Sequence, residues 1–111
     1  MGREVDGHLV SVKPGQWVTS SAGRDIGAHY LVLDVVEERF ALVADGVKRT
    51  VAKPKKKNIR HLWVHDEIHT EIAARLSNGA KVTDEQIRAA LTELVGEREE
   101  VDGPHGQAGR H

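Results

Sequence analysis

Residues 53 to 60, KPKKKNIR, set Lys53, Lys55, Lys56, Lys57 and Arg60 within eight positions. A row of cations that dense suits a row of phosphates, because each phosphate neutralised by Lys or Arg releases condensed counterions. Lys48 and Arg49 lie just upstream, His61 follows Arg60, and no Asp or Glu occurs from 46 to 65. Pro54 biases its neighbourhood toward extended geometry, so the three consecutive lysines form a ridge and do not all fold back onto one face. The competing readings are a solvated charge run and a nuclear address. An address needs an exposed, disordered segment, and strand signals on both sides of PKKKN argue against one.

A second cation stands on its own. Arg24 lies between Gly23 and Gly27 in SAGRDIG, a loop that can turn tightly and hold the side chain outward. Its guanidinium could fork onto a phosphate or a base edge, or pair with the adjacent Asp25 and only orient the loop. The candidate polyanion-contacting residues are therefore Arg24, Arg49, Lys53, Lys55, Lys56, Lys57, Arg60 and His61.

Other chemistries find little support. The chain has no cysteine, which removes disulfides, thiolate metal sites and thiol nucleophiles. His61, His65 and His69 fall at four-residue intervals, but in HDEIH Asp66 occupies the place where a zinc-protease helix needs its Glu base. Ser20 and Ser21 lack the strand-to-helix elbow of a catalytic serine, and no glycine-rich phosphate loop follows a strand. No metal, cofactor or enzymatic activity is expected.

The net charge of −1 conceals a division: residues 1–64 carry +4 and residues 65–111 carry −5. Such asymmetry points to polyanion binding by the basic half. No apolar run approaches the roughly 18 residues of a membrane span, and MGREVDGHL is too polar for a secretory signal. A soluble cytoplasmic protein with no membrane partner is the expectation.

The elements that must position these cations are short strands followed by helices. WVTS (17–20), HYLVLDVV (29–36), FALVA (40–44), VKRTV (47–51) and IRHLWV (59–64) have strand texture, with Asp45-Gly46 as a hairpin turn before the fourth. Five short strands in about 50 residues suggest a small barrel. Ile68, Ile72 and Leu76 then recur every four residues, and Asn78-Gly79 supplies a stop, so 66–77 is expected to be helical. Thr83-Asp84-Glu85-Gln86 is a capping box that opens a second helix with the apolar stripe Ile87, Leu91, Leu94, Val95. Of the aromatic residues Trp17, Tyr30, Phe40 and Trp63, core placement is the expectation for Tyr30 and Phe40. Trp17, adjacent to Val18 in a strand, is a stacking candidate.

PGQWVTSSAGRDIGAHYLVLDVV, continuing into VADG and KRTVAKPKKKNIRHL, resembles the small bacterial KOW-domain RNA-binding proteins. Those are similar in turn to the archaeal and eukaryotic ribosomal protein of the L fourteen type. The resemblance implies an SH3-like five-stranded barrel whose loops contact RNA, with no enzymatic activity. It implies turn-forming roles for Gly15, Gly23 and Gly27 and RNA-facing roles for Arg24 and residues 54–57.

The organisation expected is an N-terminal extension (1–13), a KOW barrel (14–64), a helical hairpin packed on it (65–98) and a disordered Gly-rich tail (99–111). The fold class is mainly β with an α appendage. The expected function is non-enzymatic binding of RNA, ribosomal RNA foremost, with ribosomal proteins as further partners. The alternative is a protein-interaction module that docks its acidic helical half on the transcription or translation machinery.

Overall fold

All five residues of Gln16–Ser20, strand β1, are buried. An alternating strand can hide both faces only when a layer covers each of them, and the rest of the chain supplies the two layers. The computed structural model describes residues 11–102. Its elements are β1, β2 (His29–Val36), β3 (Phe40–Ala44), β4 (Lys55–Asn58), a 3-10 turn (Ile59–His61), β5 (Leu62–Ile68), α1 (Thr70–Ser77) and α2 (Asp84–Asp102). The strands form one antiparallel sheet in the order β4-β3-β2-β1-β5.

Alternation divides the apolar residues between the two faces. Trp17 lies opposite Leu31 across the β1–β2 ladder, and Val18 opposite Tyr30. Trp17 and Leu31 join Ile72 of α1, Val82, and Ile87, Ala90, Leu91 and Leu94 of α2 in one core. Val18, Tyr30, Val32, Ala41, Val43 and Leu62 form a second core on the other face. The expected apolar stripe of α2 is therefore what covers the sheet. Truncating a buried Trp such as Trp17, only 2% exposed, typically costs about 3–5 kcal/mol.

The capping box forms as the sequence implies: the Thr83 amide donates to Gln86 Oε1 at 2.9 Å, and the Gln86 amide to Thr83 Oγ1 at 3.1 Å. Several expectations need correction, beginning with the strand expected over 59–64, which starts only at Leu62 after a 3-10 turn. Residues 47–51 are not a strand. Asp45 Oδ1 accepts from the amides of Val47 and Arg49, both at 2.9 Å, and Asp84 Oδ1 accepts from the Val51 amide at 2.8 Å. Amides committed to carboxylates cannot also serve a ladder, so Asp45-Gly46 opens a long loop and the fourth strand is the lysine run itself.

A further correction lies at the start of the helical half. Residues 66–68 belong to β5, where Gln16 pairs with Ile68 and donates from its side chain to the His65 carbonyl at 2.8 Å. Helix α1 begins only at Thr70, capped by His69, whose Nδ1 accepts from the Ile72 amide at 3.3 Å. Another concerns closure: the backbone pairing stops at β4 and β5, so the sheet is open where a closed barrel was expected. Helix α2 also runs through Asp102, past the expected beginning of the tail at Glu99. The remainder of that tail and most of the N-terminal extension lie outside the described residues.

Two glycines join the layers. Gly15 has φ +90°, its carbonyl accepts from the His69 amide at 2.9 Å, and a Cβ there would stand 2.7 Å from Ala73 Cβ. Gly46 has φ +80°, and a Cβ there would meet the Asp84 carbonyl at 2.5 Å. Only a residue without a side chain allows α1 to approach the start of β1, and α2 the loop after β3, this closely. Among the described residues no helix is long and apolar enough to cross a membrane.

Candidate nucleic-acid interface

Period-two alternation sends the lysines of β4 to different places. Lys57 lies opposite Ala41 and Lys55 opposite Val43, two residues of the second core, whereas Lys56 lies opposite Leu42. Lys55 and Lys57 therefore turn toward the face that carries the second core, and both end on Asp25. Lys57 Nζ is 3.2 Å from Asp25 Oδ1, and Lys55 Nζ is 3.2 Å from Asp25 Oδ2. Lys57 is only 7% exposed, and its ammonium also donates to Ser20 Oγ and to the Ala22 carbonyl, each at 3.0 Å. All three of its protons are thereby used.

Asp25 is equally committed. It accepts from the Ser20 hydroxyl at 2.9 Å and from the Tyr30 hydroxyl at 2.6 Å. Burial acts to raise its pKa, but the hydrogen bonds from Tyr30, Ser20, Lys57 and Lys55 outweigh burial and hold the carboxyl well below the usual range. Burial, followed by the bond to this carboxylate and its charge, pushes the Tyr30 phenol up. Asp25 thus belongs to Lys55 and Lys57, not to Arg24. It ties the loop after β1 to β4, one edge of the sheet.

That anchoring sorts the predicted contact residues. Lys57 is removed from the surface and Lys55 is half-buried. Arg24, Arg49, Lys53, Lys56, Arg60 and His61 are exposed. The His61 carbonyl accepts from the Ser21 amide at 2.9 Å, which holds the 3-10 turn bearing Arg60 and His61 against the loop bearing Arg24. Ala44, the last residue of β3, pairs with Leu31, and Arg49 is bonded back to Asp45, so the loop after β3 starts at the same end of the sheet as Tyr30. Lys56 stacks its ammonium over the Phe40 ring at 4.5 Å. Lys53 lies in the loop after β3, where its amide donates to Thr50; no contact joins its side chain to the others.

The aromatic residues are also redistributed. Trp17 is buried, stacked on His65 at 3.7 Å between ring centroids, and its indole N–H donates to His29 Nδ1 at 3.1 Å. An indole N–H can only donate, so His29 Nδ1 is an acceptor. The Thr19 hydroxyl lies 2.9 Å from that nitrogen and 2.7 Å from His65 Nε2, so it joins the two imidazoles. Trp17 is thus no stacking platform. Trp63, between inward-facing Leu62 and Val64, is 58% exposed. Its position one residue from an inward Leu was the signal for that placement.

The three histidines separate. His61 is in the exposed turn, His65 lies under Trp17, and His69 caps α1 while bonding Glu93 of α2 at 2.8 Å. Among the described residues no three metal-ligating side chains come together.

No protein-family model matches the chain. Among curated proteins it is similar to the "Putative ribosome-binding protein YbzG" of Bacillus subtilis, 39% identical over 54 residues that cover 49% of this chain and 73% of that protein. It is also similar to the large ribosomal subunit protein eL14 of Desulfurococcus amylolyticus, 28% identical over 77% of this chain and 81% of that protein. The eL14 protein of Staphylothermus marinus is 26% identical over 80% of this chain and 91% of its own.

Proposed function

This chain belongs to the family of YbzG and is similar to eL14 ribosomal proteins, and we propose that it is a non-enzymatic protein that associates with the ribosome by gripping ribosomal RNA. The sheet in this reading is an SH3-like KOW barrel whose backbone ladder is open between β4 and β5. The single observation that carries the RNA reading is the arrangement of Arg24, Arg60 and His61. They stand exposed on two segments held together by the Ser21–His61 hydrogen bond, while Asp25, next to Arg24 in the chain, is engaged by Lys57, Lys55, Ser20 and Tyr30. A cationic rim in which the acid beside Arg24 is neutralised suits a polyanion.

Lys53, Lys56 and Arg49 extend the rim, and Lys57 with Lys55 makes it rigid. Phosphate contacts position a protein without reading sequence, so selectivity comes from RNA shape and from unpaired bases. Cosedimentation with ribosomes, with and without prior RNase digestion, tests the reading. Association through RNA is lost with the RNA and weakened by Arg24→Glu and Arg60→Glu; retention after digestion, undiminished by those changes, overturns it.

A further inference from the structure

We propose that Trp63 is a stacking platform for an unpaired base of the bound RNA, an inference that rests on the RNA reading above. Of the four aromatic residues, Trp17 and Tyr30 are buried, at 2% and 3% exposure, and Phe40 lies beneath the Lys56 ammonium. Trp63 alone among them is broadly exposed, at 58%.

The placement of Trp63 is specific. Leu62 and Val64 belong with the second core, so alternation aims the indole to the opposite side of β5, an edge strand paired only to β1. That side carries the first core, in which His65 stacks on Trp17, but the residues nearest Trp63 in the β5–β1 ladder are polar. Thr19 is its partner across the ladder, and His65, two residues along, is hydrogen-bonded to Thr19. At 58% exposure the ring is not among the residues packed against that core. It lies two residues after His61, and the Ser21–His61 bond fixes the turn bearing Arg60 and His61 beside the Arg24 loop.

A flat apolar ring set on polar ground, next to cations and within a stretch free of acids from 46 to 65, matches a nucleotide. Phosphate meets the cations and the base meets the indole face. A hydrophobic protein groove would want apolar neighbours around the ring, and Thr19 and His65 are not that. Because paired bases hide their faces in the stack, the ligand must offer a loop, a bulge or a single strand.

The test measures affinities of the wild-type protein, Trp63→Ala and Trp63→Phe for an RNA hairpin with an adenine loop and for a fully paired duplex of the same stem. Thermal melts establish that both variants fold, which the exposure of Trp63 favours. The expected result is hairpin binding about 5- to 150-fold weaker in Trp63→Ala, largely restored in Trp63→Phe, with duplex binding little changed and the salt dependence unaltered. Wild-type indole fluorescence should fall on hairpin binding and stay constant in Trp63→Ala. Equal hairpin binding by wild type and Trp63→Ala overturns the stacking proposal while leaving RNA binding intact; that holds equally if Trp63→Ala instead loses a partner retained after RNase digestion. Failure of the wild type to bind either RNA overturns the RNA reading itself.

Discussion

Lys57 and Asp25, 32 positions apart in the chain, meet at 3.2 Å with the lysine only 7% exposed. Breaking a buried pair by deleting one partner strands the other charge, at a cost of about 3–5 kcal/mol. Asp25→Ala is therefore expected to destabilise the protein by about that amount in urea unfolding. Lys57→Met should cost a comparable amount. The double variant should cost less than the sum of the two, because it strands no charge at Lys57. Additive losses would mean that the two side chains do not interact.

The same pair sets a pH window. Asp25 has a folded-state pKa below its ordinary value of 3.8, so its contribution is fully present above about pH 4 and is lost as pH falls toward the folded value. Tyr30 is raised above its ordinary 10.0; its contribution is present below pH 10 and is lost as pH rises beyond it. The wild type should thus be more stable than Asp25→Asn across the neutral range, the gap closing in acid. A gap independent of pH below 4 would contradict this.

Gly15 and Gly27 both have φ +90°, but they differ in surroundings. A Cβ at Gly27 meets nothing within 4 Å, while one at Gly15 would stand 2.7 Å from Ala73 Cβ. Gly27→Ala should cost only the left-handed strain, about 1–2 kcal/mol. Gly15→Ala should add overpacking of about 1–3 kcal/mol as α1 is pushed from β1. Equal losses in melting experiments would argue against the close approach.

Glu37 and Glu38, in the turn between β2 and β3, have φ of 54° and 59°. Tight primed turns need positive φ at their central residues, where Asn and Gly fit best. Glu37→Asn with Glu38→Gly is expected to stabilise the protein by about 0.5–1 kcal/mol, read as a higher melting temperature. A lower one would contradict the turn geometry.

Much of this was legible in the sequence, and the failures have physical causes. HYLVLDVV and FALVA became strands over their full expected spans, and the Thr83 capping box formed with both bonds. VKRTV alternates like a strand, yet its amides go to Asp45 and Asp84, the latter 33 positions from Val51. Periodicity does not reveal such a tertiary capture. The lysine run presents the converse case. Its density marked it as a contact surface, and alternation alone would split it, but the inward pair became apparent only once Asp25 stood opposite Lys55 and Lys57.

The salt dependence of RNA affinity tests the central claim most directly. Five exposed cations, Arg24, Arg49, Lys53, Lys56 and Arg60, engaging about five phosphates predict a slope of log affinity against log salt near −3.5 to −4.5. Charge removal at Arg24, Lys56 and Arg60 should make that slope shallower by about 2–3, while Lys57→Met, in its folded population, leaves it nearly unchanged. A slope near zero, or one that changes with Lys57 and ignores the exposed cations, would contradict the account.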